Sequence, residues 1–302
     1  MTNHPINIIV IGVDPAPSKG LCVYCHYPED FSGNKLKTYY AATESGLNNF
    51  ATEVNALEGY PVLICWDAPL TMPTGGDNLG YYTRKIESIW IAARAANPEG
   101  SWASVQPVAG CSHWAISQKL LGFPRLANAP VRGALLSPQL ITNHVINLTL
   151  KAGLYLVEVH PALALQVRLG SALLKIKILS NGLADADEDE SWKLSGKKSY
   201  KNVSWGIATS KTNKSGFAHL WEISREAFRD GGLALPSSEN GKNEKHQPGP
   251  SDHLDAWVAM RLGVLWLQGG GVKLYGNGSR GSFLLPAIEY AAAVERTTLL
   301  II

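Results

Sequence analysis

Apolar residues fall along this chain in three short, nearly unbroken blocks, each closed by a polar or proline-containing turn. The first block, residues 6–13, is followed by Asp14 and then by Pro15-Ala16-Pro17-Ser18-Lys19-Gly20. A run of that length without polar alternation predicts a strand covered on both faces. The two prolines that follow donate no ladder hydrogen bond, and Gly20 permits a reversal, so the strand is expected to stop at Asp14. Its carboxylate would then be held by rigid backbone at the mouth of a turn. A second strand is predicted over 21–27 and a third over 35–42, the three forming a meander. Ser45 then reads as the cap of a helix whose apolar stripe is Leu47, Phe50, Val54 and Leu57, ending at Gly59. The second apolar block, residues 61–66, again ends in an aspartate, Asp67, and is terminated by Ala68-Pro69-Leu70. A helix over 138–152 leads to the third block, 154–159, closed by His160-Pro161.

This order predicts an α/β fold. Three antiparallel strands followed by parallel strands on helical crossovers give a mixed five-stranded sheet with helices on both faces. Right-handed crossovers place the fourth strand beside the first. Asp14 and Asp67 then end neighbouring parallel strands at one sheet edge, where open α/β sheets bind ligands. The chain reads as a single domain over 1–302, with insertions at about 71–135 and 180–250. The first insertion holds one helical pattern at 86–96. The second opens with the acid run Asp185-Ala186-Asp187-Glu188-Asp189-Glu190 and a Lys/Ser/Asn-rich stretch to residue 214, the composition of a solvated, mobile loop. A helix is predicted over 217–229, and no internal repeat is present.

The last strong element is an apolar helix over 251–268, with Ser251 as its expected cap. Asp252 and Asp255 then share its first turn. The helix macrodipole is reason enough for Asp252. Asp255 instead opens a face of small residues, Ala256, Ala259 and Gly263, which lets the helix backbone come close to a sheet and carries the carboxylate towards Asp14 and Asp67. Carboxylates converging from two strands and a helix repel one another, and a divalent cation relieves that repulsion. An all-oxygen set favours Mg²⁺ or Mn²⁺. Glu158, at the end of the third block, is a further candidate ligand or the anchor of a turn.

Composition changes this picture little. The 302 residues are 45% hydrophobic and 17% charged, with a net charge of +2, ordinary for a globular protein and compatible with nucleic-acid binding without arguing for it. No apolar run is long enough for a membrane span and the first residues lack a signal-peptide pattern, so the cytoplasm is the expected location. Four cysteines are too few for a disulfide framework. Cys22 and Cys25 have C-x-x-C spacing, but within a strand they point to opposite faces, and they read as structural thiols. Residues 71–135 interleave aromatics with Arg and Lys. There Trp90, Trp102 and Trp114 suit a small core, whereas Arg84 and Lys85, with Lys19 of the first turn, suit contacts to substrate phosphates.

Together these motifs carry a resemblance. An Asp on strand one, an Asp on strand four and a D-x-x-D-A helix late in the chain are similar to the ribonuclease H-like superfamily, and the helix resembles that of Holliday-junction resolvases. More closely, Gly12-Val13-Asp14, Trp66-Asp67-Ala68-Pro69, Glu158-Val159-His160-Pro161, Asp255-Ala256 and Gly281-Ser282-Phe283-Leu284-Leu285-Pro286 resemble the RNase H-like nuclease family known as domain of unknown function 429. The resemblance implies two-metal hydrolysis of nucleic-acid phosphodiesters, with Asp14 bridging both ions, Asp67 on one, and Asp255 with Asp252 on the other. Two departures stand out. Resolvases carry Glu where this chain has the shorter Asp67, and the first helix offers only Glu53, off its apolar stripe. Two other classes share such a core: an actin-like or sugar-kinase-like phosphotransferase, and a non-catalytic member that binds nucleic acid or protein.

Overall fold

The first apolar block becomes the middle of a five-stranded sheet. The computed structural model describes residues 7–16, 19–57, 59–68, 70, 153–169, 216–229, 248–277 and 281–288. In chain order its elements are β1 (Ile9–Ala16), β2 (Gly20–His26), β3 (Tyr39–Tyr40), α1 (Glu44–Asn55), β4 (Pro61–Trp66), β5 (Gly153–Glu158), α2 (Pro161–Leu169), α3 (Gly216–Ala227), α4 (Pro250–Leu267), β6 (Val272–Asn277) and β7 (Gly281–Pro286). The sheet order is β3-β2-β1-β4-β5. β2 runs antiparallel to both β1 and β3, and β4 runs parallel to both β1 and β5. The expected α/β architecture, a mixed sheet with the fourth strand beside the first, is present. The expected helices at 86–96 and 138–152 and the acid run at 185–190 lie outside the described residues.

β1 differs from its expected bounds in an instructive way. It continues through Asp14 and Pro15 to Ala16, paired with β2 as Asp14↔Cys22, Pro15↔Leu21 and Ala16↔Gly20. Its partner β4 ends earlier, at Val13↔Trp66, with one further bond from the Asp67 N–H to the Val13 carbonyl. Because backbone groups alternate sides along a strand, Pro15 turns its missing N–H the same way as Val13, past the end of β4. The proline therefore breaks no ladder bond, and Asp14 sits inside the strand rather than after it. Gly20, at φ +104°, then closes the hairpin. β3 is shorter than expected, two residues against eight predicted.

The sheet's alternation sorts two cores. Ile9, Ile11, Val13, Val62, Ile64, Trp66, Leu154 and Leu156 face α1, meeting Leu47, Phe50, Ala51 and Val54. Val10, Leu63, Cys65 and Val157 face α4, meeting Leu254, Val258, Ala259 and Leu262. The α1 cap is Thr43, not Ser45: its side chain accepts from the Gly46 N–H at 3.1 Å. Glu53 belongs to the α1 side, where it takes the Tyr40 hydroxyl and the Lys37 ammonium.

Two elements were not anticipated. Pro161 opens α2 at the position where a missing N–H costs nothing, and His160 Nδ1 accepts from the Leu163 N–H at 3.3 Å. The tail beyond α4 is a hairpin, β6 with β7, joined to the end of β5 by a parallel bridge between Val159 and Leu284. α3 brings Trp221 and Phe228, at 1% and 0% exposure, onto Trp257 of α4. Arg261 crosses from α4 to the end of α3, donating to the carbonyls of Phe228 and Arg229 at 2.8–3.2 Å and so satisfying the last turn of that helix.

The contact that sets everything else is the one between α4 and β1. A Cβ built on Gly12 would overlap the Ala256 carbonyl oxygen and the Met260 nitrogen. One built on Gly263 would lie 2.6 Å from Cys65 Sγ and 2.7 Å from Val10 Cγ1. Strand backbone thus rests almost directly on helix backbone at Gly12, and helix backbone rests on strand side chains at Gly263. Gly12→Ala should destabilise the protein by about 3 kcal/mol or more in urea unfolding, because neither neighbour is a side-chain end that can swing away. Gly59→Ala, whose added Cβ meets nothing within 4 Å, should cost only about 1–2 kcal/mol for its positive φ. Equal losses at the two sites would mean that α4 does not lie this close to the sheet.

Candidate metal centre

Three carboxylates meet where β1, β4 and α4 converge. One ligand oxygen from each of Asp14, Asp67 and Asp255 lies within 4.8 Å of the other two. Asp14 is 5% exposed and Asp255 only 1%, while Asp67 is half-buried. Each position follows from local structure. Asp14 shares the α4 face of β1 with Val10 and Gly12, by the two-residue period of a strand. Asp67 follows Trp66 and keeps the alternation of Leu63 and Cys65, so it emerges on the same face one strand over. Asp255 lies one residue before Ala256, whose carbonyl oxygen is the group pressed against Gly12. The glycine contact therefore delivers the third carboxylate to the first two.

Ionised carboxylates this close repel one another. Unit charges 4.8 Å apart repel by about 3–4 kcal/mol at an effective dielectric of about 20, and three such pairs share this pocket. The neighbouring Cys22 thiol reports the same field. Burial pushes its pKa well above the ordinary value, and the charges of Asp14, Asp252 and Asp255 push it further. Oxygens around a hard cation such as Mg²⁺ stand about 3–4 Å apart. Small side-chain rotations would close the three aspartates onto one six-coordinate ion, with water in the remaining positions. The donor set is all carboxylate, which fits Mg²⁺ or Mn²⁺ and does not suit a soft metal.

The other expected site residues fall elsewhere. Asp252 is the third residue of α4, whose cap is Gly249 and not Ser251, with Pro250 at the first helical position. Its Oδ2 accepts the Gly249 N–H at 2.6 Å and the Lys19 ammonium at 2.8 Å. It lies outside the group formed by Asp14, Asp67 and Asp255. Lys19, expected on substrate phosphate, is thus the partner of Asp252. Glu158 is paired in register with Trp66 and so lies on the α1 face, opposite the three aspartates. It is 1% exposed and accepts the Leu70 N–H at 3.0 Å, anchoring the turn that follows β4. Arg84 and Lys85 lie outside the described residues.

His253, which the sequence offers as a plain helix residue rather than a catalytic one, is a neighbour of the site. Its Nδ1 lies 3.1 Å from the Tyr24 hydroxyl and 3.5 Å from Cys22 Sγ, tying the first turn of α4 to β2. Burial lowers its pKa, with the Asp252 charge acting partly against this. The sequence signal was its position between the two aspartates of a helix start, but alone that pattern has no bearing on which strand it meets.

The thiols behave as structural groups. Cys22 and Cys65 are buried, and burial raises both above the usual thiol range, while Cys25 is pushed up to about 12. At pH 8 that leaves Cys25 about a thousandfold less thiolate than an ordinary cysteine. With Cys111 replaced by serine, Ellman's reagent should leave the folded protein unmodified over minutes and react with the three remaining thiols once guanidinium unfolds it. Fast labelling of Cys22 in the folded state would mean that the α4–β2 contact opens readily.

Comparison of the chain with protein-family models, with curated proteins and with solved structures finds no match in any of the three.

Proposed function

We propose that this chain is a divalent-metal-dependent nuclease of ribonuclease H-like architecture, hydrolysing phosphodiester bonds of nucleic acid at the Asp14–Asp67–Asp255 cluster. The observation that carries the reading is the convergence of those three carboxylates within 4.8 Å at one end of two parallel strands. The strand order β3-β2-β1-β4-β5 and the late helix bearing Asp255 support it, since these are the features on which the resemblance rests.

Asp14, from the centre of the sheet, would hold the cation together with Asp67 and Asp255. A bound Mg²⁺ or Mn²⁺ supplies charge neutralisation for a phosphoryl oxygen and lowers the pKa of a coordinated water. The protein's own contribution is to fix the ligand geometry from three separate elements and to keep the site partly dry. Asp67, the least buried of the three, marks the open side from which a phosphodiester would approach. Nucleic acid fits the proposal as substrate because a chain with net charge +2 does not oppose a polyanion, and Arg84 and Lys85 supply further candidate phosphate contacts.

Asp255→Asn tests the reading most sharply, because it keeps the volume while removing one charge and a good ligand. Cleavage of labelled single-stranded, duplex, hybrid and branched substrates with Mg²⁺ or Mn²⁺ should fall by more than about 100-fold, beyond the cost of losing an outer-shell partner. Metal-free melting should be unchanged or higher, since like-charge repulsion is relieved. Retained cleavage with a large loss of stability would make Asp255 a structural hydrogen-bonding group. ATP hydrolysis in place of nucleic-acid cleavage would move the protein to the phosphotransferase class.

A further inference from the structure

The cluster that would hold a cation has a fourth carboxylate beside it that is already occupied by a side-chain cation. Asp252 precedes Asp255 by three residues on α4, a spacing that makes the two neighbours on the helix surface, about 5–6 Å apart at Cβ. Its neighbour His253 lies 3.5 Å from Cys22 Sγ, and Cys22 is paired in register with Asp14, so Asp252 stands beside the same group. Yet its Oδ2 is taken by the Gly249 N–H at 2.6 Å and the Lys19 ammonium at 2.8 Å. Lys19 stands on the turn between β1 and β2, close in sequence to Asp14. The ion pair therefore links two of the three elements that carry the site, β1 through its following turn and α4.

We propose that Lys19 is the built-in counter-cation of this site: it holds Asp252 out of the ligand set and limits the free protein to a single divalent ion. The inference rests on the metal-binding reading above. The pair is suited to opening. The Lys19 side chain is 37% exposed against 10% for Asp252, so an anion arriving from solvent can reach the ammonium end of the pair. A phosphodiester oxyanion competes directly for such an ammonium. Arrival of substrate phosphate at Lys19 would then release Asp252 in the same exchange, and a second divalent ion could enter beside the first. The site would reach its full charge only when a phosphate is there to share it. Lys19 is a positioning residue in this scheme, acting through Asp252.

Simple electrostatics separates this role from the alternative, in which the ion pair is a clamp that merely holds α4 in place. Removing an ammonium beside a carboxylate cluster makes the pocket more negative and favours another cation, whereas removing a clamp loosens the ligands and weakens the first one. The test is manganese binding to the chelator-treated full chain, followed by loss of the free-ion paramagnetic signal and by calorimetry, with circular dichroism to show that each variant is folded. The wild type and Lys19→Arg should bind a single ion. Lys19→Met and Lys19→Gln should gain a second, and Lys19→Met combined with Asp252→Asn should lose it again. A single ion in Lys19→Met and Lys19→Gln, or weaker binding of the first, overturns this inference and leaves the metal site standing. Two ions in the wild type also overturn it, because Asp252 would already be available. No ion in the wild type overturns the metal site itself, and this inference with it.

Discussion

The approach of α4 to β1 through Gly12 is the constraint from which the site follows. A strand residue without a Cβ lets a helix backbone rest on it, and the residues that touch it, Ala256 and Met260, fix the rotation and height of the helix. Asp255, one position before Ala256, has no freedom left. It must enter the space over the ends of β1 and β4, where Asp14 and Asp67 already stand. Gly263 repeats the device two turns later against Val10 and Cys65, so the helix is held parallel to the sheet surface rather than touching at one point. Trp257, buried between Trp221 and Phe228, fills the outer side of the same helix and prevents it from lifting.

That arrangement places opposed demands on α4. Its apolar residues are buried nearly all round, as expected for a helix covered by the sheet on one side and by α2 and α3 on the other. Its first two turns, by contrast, carry Asp252, His253 and Asp255 into a partly dry pocket. The polar groups there are satisfied in different ways. Asp252 takes an ammonium and its own helix cap, and His253 shares a hydrogen bond with a tyrosine hydroxyl. Beside them Asp14, Asp67 and Asp255 bring three carboxylates together.

Much of this was legible in the sequence. The continuous apolar blocks fixed β1, β4 and β5, and the crossover rule was enough to put Asp14 beside Asp67. The small-residue face of Asp255, Ala256, Ala259 and Gly263 foretold a close helix. What it did not reveal was the partner glycine in the strand, since Gly12 looked like an ordinary member of an apolar run. The helix start was misplaced because Ser251 resembled a cap, whereas Pro250 shifts it back to Gly249, with Asp252 still in the first turn. Glu158 was read by its place at a strand end. Strand alternation, counted from Leu154 and Leu156, would have put it on the α1 face. The β6–β7 hairpin was hidden by glycines, although buried Val272 and Leu274 flank exposed Lys273 in strand alternation. α2 was masked by reading Pro161 as a stop when it was a helix start.

The account stands or falls on whether the converged aspartates hold an ion. Anomalous diffraction at the manganese edge, from crystals grown with Mn²⁺, measures that directly. The account predicts a strong anomalous peak bounded by the carboxylates of Asp14, Asp67 and Asp255, at coordination distances of about 2.1–2.3 Å. A well-ordered site with no peak, and with the three carboxylates satisfied by protein donors alone, would contradict it.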